Sequence, residues 1–220
     1  MERSIDIQTE EIKKRILVMG GFVEQALTVV TAGLLKNDPS KLDLIFDLEN
    51  RINAEHVALD GLCLTCLAKQ SPVAKDLRLI MSIIKINTDL ERMGDQCMNI
   101  AYTAREYLRG SSLPQAQLIE QMAILAQKMV RGSLDSFVKG DVEMAQMIMT
   151  MDDQLDVLKN EVFEILTAHM KVSSQDVEAA LDLILIARNL ERLGDHATNI
   201  AEDVIFVCTG RDVRHGGVYV

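Results

Sequence analysis

Leu90–Ala101 reads LERMGDQCMNIA, and one hundred residues later Leu190–Ala201 reads LERLGDHATNIA. Eight of the twelve positions are identical without a gap, and upstream Ile84 and Ile86 match Ile184 and Ile186. Recurrence at a fixed spacing marks a duplicated structural unit. Further back the offset widens to 103 residues: Leu35–Asp38 (LKND) faces Val138–Asp141 (VKGD), and Glu49 faces Asp152. The connection between the last two helices of the second half is therefore three residues shorter.

Helical periodicity and its punctuation divide each half into three long segments. The first runs from about Ile5 to Lys36 and ends at Asn37-Asp38-Pro39, with Ser40 as the expected cap of the next. The second covers about Lys41 to Lys69 and stops at Gln70-Ser71-Pro72, and the third covers about Ala74 to Tyr107. After Arg109–Pro114 (RGSSLP), a fourth helix reaches about Lys139. Gly140-Asp141 breaks it, with Asp141 able to cap a fifth that extends to about Met170. A sixth begins near Ser173 or Ser174 and runs to about Cys208. The expected fold is all-α: two tandem three-helix bundles, residues 1–110 and 115–210, followed by a tail over 211–220. About a hundred residues per repeat suffices for a core.

The composition agrees. The 220 residues contain 5 Phe, 3 Tyr, no Trp and 3 Pro, too little turn and aromatic content for many short strands. Lys and Arg number 23 against 33 Asp and Glu, a net charge of −10. That balance disfavours nucleic-acid binding and docking on an anionic membrane, both of which draw on clustered cations. The start, MERSIDIQTEEIKKR, has no apolar signal core, and runs such as Leu183–Ala187 (LILIA) fall short of the ~20 residues of a membrane span. A cytoplasmic location is expected. Cys63 and Cys66 form a C-x-x-C inside a helical pattern, with no second pair to complete a zinc site, and read as small core residues.

The duplicated segment keeps more than apolar residues. Glu91 with Asp95, and Glu191 with Asp195, stand four apart, which stacks both carboxylates on one helix face. Like charges at that spacing repel, so an isolated helix gains by losing one. On the preceding helix, Asp152 and Asp156 repeat the spacing, and Glu49 and Asn53 are their first-half counterparts. Each bundle thus offers two i,i+4 pairs of oxygen donors on adjacent antiparallel helices. Such donor sets suit hard cations: Mg, Mn, Ca or iron. The competing reading is a solvated face with Arg92 and Arg192 as counter-charges. Against it stand the duplication in register and the mid-helix Gly94 and Gly194, which cost about 1 kcal/mol each unless a neighbour packs close.

These residues carry a resemblance. LERMGDQCMNIA and LERLGDHATNIAEDVIF resemble the doubled E/D-x-x-x-D signature of the PhoU family, the phosphate-transport accessory and regulatory proteins of bacteria. The likeness extends to DLENRIN at Asp47–Asn53, PVAKDLR at Pro72–Arg78 and ARNLERLGDHATNIAED at Ala187–Asp203. It implies a cytoplasmic, usually dimeric, non-enzymatic negative regulator. Such proteins bind iron or other metals at the acidic motifs, and contact the sensor histidine kinase of the phosphate response and the ATPase of the phosphate ABC transporter. Carried over residue by residue, one site is Glu49, Asn53, Glu91 and Asp95, and the other is Asp152, Asp156, Glu191 and Asp195. The neutral Asn53 opposite Asp156 makes the two sites unequal.

Rival functions find less support. A di-iron carboxylate enzyme would need Glu-x-x-His pairs, and none of His56, His169, His196 or His215 follows a Glu at that spacing. No G-K-[ST] phosphate loop is present. His196 beside Asp195 invites a phosphoacceptor role, but Gln96 at the matching position favours a supporting or structural one. A metal-free helical adaptor remains compatible with the composition.

Overall fold

The computed structural model describes residues 4–70, 72–110 and 112–214. Most of the anticipated tail (215–220, with His215), the first three residues, and the loop serines Ser71 and Ser111 lie outside the described residues. The elements are α1 (Ser4–Leu35), α2 (Pro39–Asp43), α3 (Ile45–Gln70), α4 (Lys75–Tyr107), α5 (Ala116–Lys139), α6 (Val142–Val172) and α7 (Val177–Thr209), with a 3-10 turn at Ser174–Asp176 before α7. No strand occurs among the described residues. The six long helices lie where periodicity places them, and α2 is an extra short one.

The expected cap at Ser40 is displaced. Asp38 caps α2 instead, its side chain accepting from the Ser40 amide at 3.2 Å, and Pro39 takes the first helical position, where a missing N–H costs nothing. Leu44 then breaks α2 from α3. Asp141 caps α6 as anticipated, accepting from the Met144 amide at 3.0 Å. It follows Gly140, whose φ of 63° closes α5 in the left-handed conformation.

Antiparallel packing of α1, α3 and α4 forms the first bundle, and of α5, α6 and α7 the second. The sequence leaves open how the two meet. α4 and α7 share the broadest helix–helix contact in the molecule. They run antiparallel: Arg78 lies beside Gly210, Lys85 bonds Asp203, Asp89 bonds His196, and Glu106 is close enough to raise the pKa of Asp182. α1 and α5 do likewise, with Gly20 against Leu134 and Thr28 bonded to Gln127. The helices α1, α4, α7 and α5 therefore close a central four-helix ring, flanked by α3 on one side and α6 on the other. One continuous apolar core runs through both repeats. Tyr107, 3% exposed, ties down the connection between repeats: its hydroxyl accepts from the Leu113 amide at 2.8 Å.

α1 corrects the expectation that apolar runs are too short to span a membrane. Ile5–Leu35 is long and apolar enough by length and composition, with a mean hydropathy of 1.5. One face of it is spent on the core: Ile12, Ile16, Met19, Val23, Leu27 and Val30 are all at most 1% exposed and recur at helical spacing, whereas Ile7, Leu17 and Val18 are exposed.

Candidate metal centre

In the second repeat, Gly194 lets α6 lie directly on α7. A Cβ there would strike Leu155 Cδ2 and come within 3.4 Å of Asp152 Oδ1. Leu155 is fully buried, so the flanking Asp152 and Asp156 are held at the level of Glu191 and Asp195. The four carboxylates form one electrostatic group. Burial pushes the Asp152 carboxyl up to about 6, and the charges of Asp195, Asp156, Asp153 and Glu191 add to the shift. Asp195 is likewise raised, by desolvation first and then by Glu191 and Asp156.

Sequence reasoning missed the cation in this group. Lys159 Nζ donates to Asp156 Oδ1 at 2.9 Å and to Glu191 Oε1 at 3.0 Å, joining α6 to α7. It stands three residues after Asp156 and seven after Asp152, on the same helix face, so periodicity alone was enough to find it. Arg192, the counter-charge considered from the sequence, is exposed, as is Arg92.

In the first repeat, Gly94 receives Ile52, with Cδ1 3.1 Å from where a Cβ would sit, and Ile52 is the positional counterpart of Leu155. Glu49 and Asn53 pair with each other, the Asn53 amide donating to Glu49 Oε1 at 2.7 Å. Glu91 is partly buried and Asp95 exposed on the facing helix. At the position of Lys159 this repeat has His56, which turns away from the carboxylates toward Asn87 O and Asp60. Among the described residues, no three His, Cys, Asp or Glu side chains converge as a ready-made metal-ligand group. The second set fits a cation by its chemistry, as hard oxygen donors whose mutual repulsion is only partly offset. The first holds a neutral donor and less charge.

His196 joins α7 to α4: its Nδ1 donates to Asp89 Oδ1 at 2.8 Å, and Asn199 Nδ2 reaches the same oxygen at 3.2 Å, so one α4 carboxylate receives two donors from α7. Cys63 and Cys66 are 1% exposed and unpaired, and burial pushes the Cys63 thiol up to about 12, so the C-x-x-C is inert core.

The raised Asp152 makes stability pH-dependent. Its folded-state pKa lies above the ordinary 3.8, so the stability of the neutral form is complete below about pH 4 and is lost as pH rises through about 6. Asp152→Asn is therefore expected to stabilise the chelator-treated protein by about 1 kcal/mol at pH 8, after allowance for solvent screening, and to have no effect at pH 4. Urea unfolding at the two pH values checks this, and an equal effect at both would contradict it.

Comparison with known proteins bears on the whole chain. The PhoU domain model matches residues 16–104 and 119–204, once per repeat. The chain is 32% identical over 219 residues to the phosphate-specific transport system accessory protein PhoU homolog of Pseudomonas aeruginosa, covering 99% of this chain and 90% of that protein. It is 30% identical over 210 residues to the accessory protein PhoU of Escherichia coli strain K12, covering 96% and 87%. The crystal structure of PhoU from Pseudomonas aeruginosa superposes with a TM-score of 0.92 at 31% identity, over 94% of this chain and 100% of the other. That of the phosphate transport system regulatory protein PhoU from Streptococcus pneumoniae gives 0.89 at 27%, over 96% and 99%. Two matched repeats, the shared architecture and relatives aligned along nearly their full length lead to one conclusion: this chain belongs to the PhoU family.

Proposed function

We propose that this protein is a cytoplasmic negative regulator that couples phosphate transport to phosphate-starvation signalling, working by contact and not by catalysis. Its partners on this reading are the sensor histidine kinase of the phosphate response, the ATPase of the phosphate ABC transporter and a second copy of itself. The observation that carries the proposal is the set of oxygen-donor pairs on facing helices of both repeats, fully acidic in the second and mixed at Glu49–Asn53 in the first, in a chain whose relatives are phosphate-transport accessory proteins. Metal cations, iron first and Mg, Mn or Ca otherwise, would be held by Asp152, Asp156, Glu191 and Asp195 in one repeat and by Glu49, Asn53, Glu91 and Asp95 in the other. A bound cation would offset the repulsion and hold the flanking helix against the central ring, so occupancy would select which surface a partner meets.

Deletion of the gene is expected to leave phosphate-starvation genes switched on in phosphate-rich medium, and the purified protein to bind the kinase or the transporter ATPase. Normal repression in a deletion strain without a paralogue would sink the proposal. Glu191→Ala with Asp195→Ala should lower the metal content of protein purified without chelator or His tag, and full retention would remove those two residues from the site. A metal-free adaptor is the second reading, favoured by Lys159, whose single charge already bridges Asp156 and Glu191. Metal analysis of the wild-type protein separates the two.

A further inference from the structure

We infer that Lys159 is a tethered counter-cation of the second acidic site, and that a divalent cation enters there only by displacing its ammonium group. The inference rests on the proposed metal-binding role of that site. Lys159 leaves α6 and bridges to α7, with Asp156 Oδ1 at 2.9 Å and Glu191 Oε1 at 3.0 Å from Nζ. These two acceptors are half of the site's donor set, so the ammonium and a divalent ion compete for the same oxygens. Its side chain is 28% exposed, so the way out to water is open. Both hydrogen bonds join an ammonium to a carboxylate, the charge-assisted kind that is stronger than a neutral pair.

The first repeat has no equivalent device. At the matching position His56 Nδ1 lies 3.4 Å from Asn87 O, and Nε2 lies 3.7 Å from Asp60 Oδ2, about two helical turns beyond Asn53. The two sites of the duplicated chain therefore differ in kind. One has a weaker donor set without a competing ammonium, and the other a fully acidic set closed by its own lysine. Cation entry at the second site also releases a lysine toward the solvent side of α6, a change in surface charge that a partner can read.

The test is a Mn²⁺ titration, with free ion followed by its EPR signal, on full-length protein whose first site is disabled by Glu91→Gln and Asp95→Asn. In that background Lys159→Met is expected to tighten Mn²⁺ binding about tenfold or more, the worth of a charge-assisted hydrogen bond, and Lys159→Arg to leave it weak. Equal affinity in all three proteins would overturn the role of Lys159 and leave the metal reading standing. No Mn²⁺ binding in any of them, or at either site of the unmodified protein, would overturn the metal reading itself. A second measurement needs no variant at Lys159: amine acetylation read by mass spectrometry should be slow at Lys159 without metal and faster once Mn²⁺ saturates the second site. An unchanged rate at saturation would also refute displacement.

Discussion

Replacing Gly194 by valine is expected to destabilise the protein by about 3 kcal/mol, the upper range for overpacking a tight core. Gly194 is buried on α7 where two helices converge. Even a single Cβ would strike Leu155 Cδ2, sit 3.3 Å from Met129 Cε on α5 and crowd Asp152. Leu155 and Met129 are both fully buried, so neither has space to yield. The gain in helix propensity of valine over glycine, about 0.4 kcal/mol, does not offset the clash. Gly94→Ala provides the control: its nearest neighbour, Ile52 Cδ1, lies at 3.1 Å, and clash and propensity should nearly cancel. Urea unfolding measures both. A wild-type midpoint for Gly194→Val would show that close approach of α6 is not what requires glycine. On the proposed metal-binding role, metal content should fall with the same substitution, since the contact that it breaks sets the level of the two acidic pairs.

The second large effect is expected at Lys85, far from the acidic motifs. Asp203 on α7 is 2% exposed, and its charge is met by Lys85 Nζ at 3.3 Å and Arg214 Nη2 at 3.5 Å. Burial holds its carboxyl above the usual range while the two cations pull it back. Lys85→Met leaves the carboxylate with Arg214 alone, and should cost about 3 kcal/mol at pH 7, at the low end for breaking a buried pair. The sign of the pH dependence follows. The raised pKa rises further without Lys85, so the defect should shrink as the pH falls toward 4 and Asp203 takes up a proton. Lys85→Met combined with Asp203→Leu should be far milder than Lys85→Met alone, because no buried charge is left unpaired. Denaturant midpoints of the three proteins at pH 7 and pH 4 check this. A pH-independent defect would mean that Lys85 acts through its packing over Phe206 instead.

Both predictions turn on contacts that join parts distant in the chain, and this marks the limit of what the sequence discloses. By itself it determined the six long helices, their pairing into two repeats, the three acidic pairs and the mixed Glu49–Asn53 pair. Helical period, caps and turn residues are local, and a duplication in register is visible without coordinates. It also pointed to Gly94 and Gly194 as places of close approach, because a mid-helix glycine has an energetic cost whatever surrounds it. The short helix α2 and its Asp38 cap escaped because Asp, Pro and Ser in succession offer two caps, and only the backbone path chooses between them.

The tertiary structure alone decided how the repeats meet. Packing α4 on α7 and α1 on α5 merges the two bundles into one ring, since the apolar stripes of those four helices are too wide to be covered within their own repeat. That packing makes pairs no local pattern announces, Asp89 with His196 and Lys85 with Asp203, across more than a hundred residues of chain. Neither is duplicated: the counterparts of Lys85 and Asp203 are Leu185 and Thr103, so the repeat itself gives no hint of them. The same holds at the acidic site, where the doubled motif makes the two halves look alike. One lysine reaching from α6 to Glu191 makes them different, because a charge is settled by whatever neighbour the fold brings within about 3 Å.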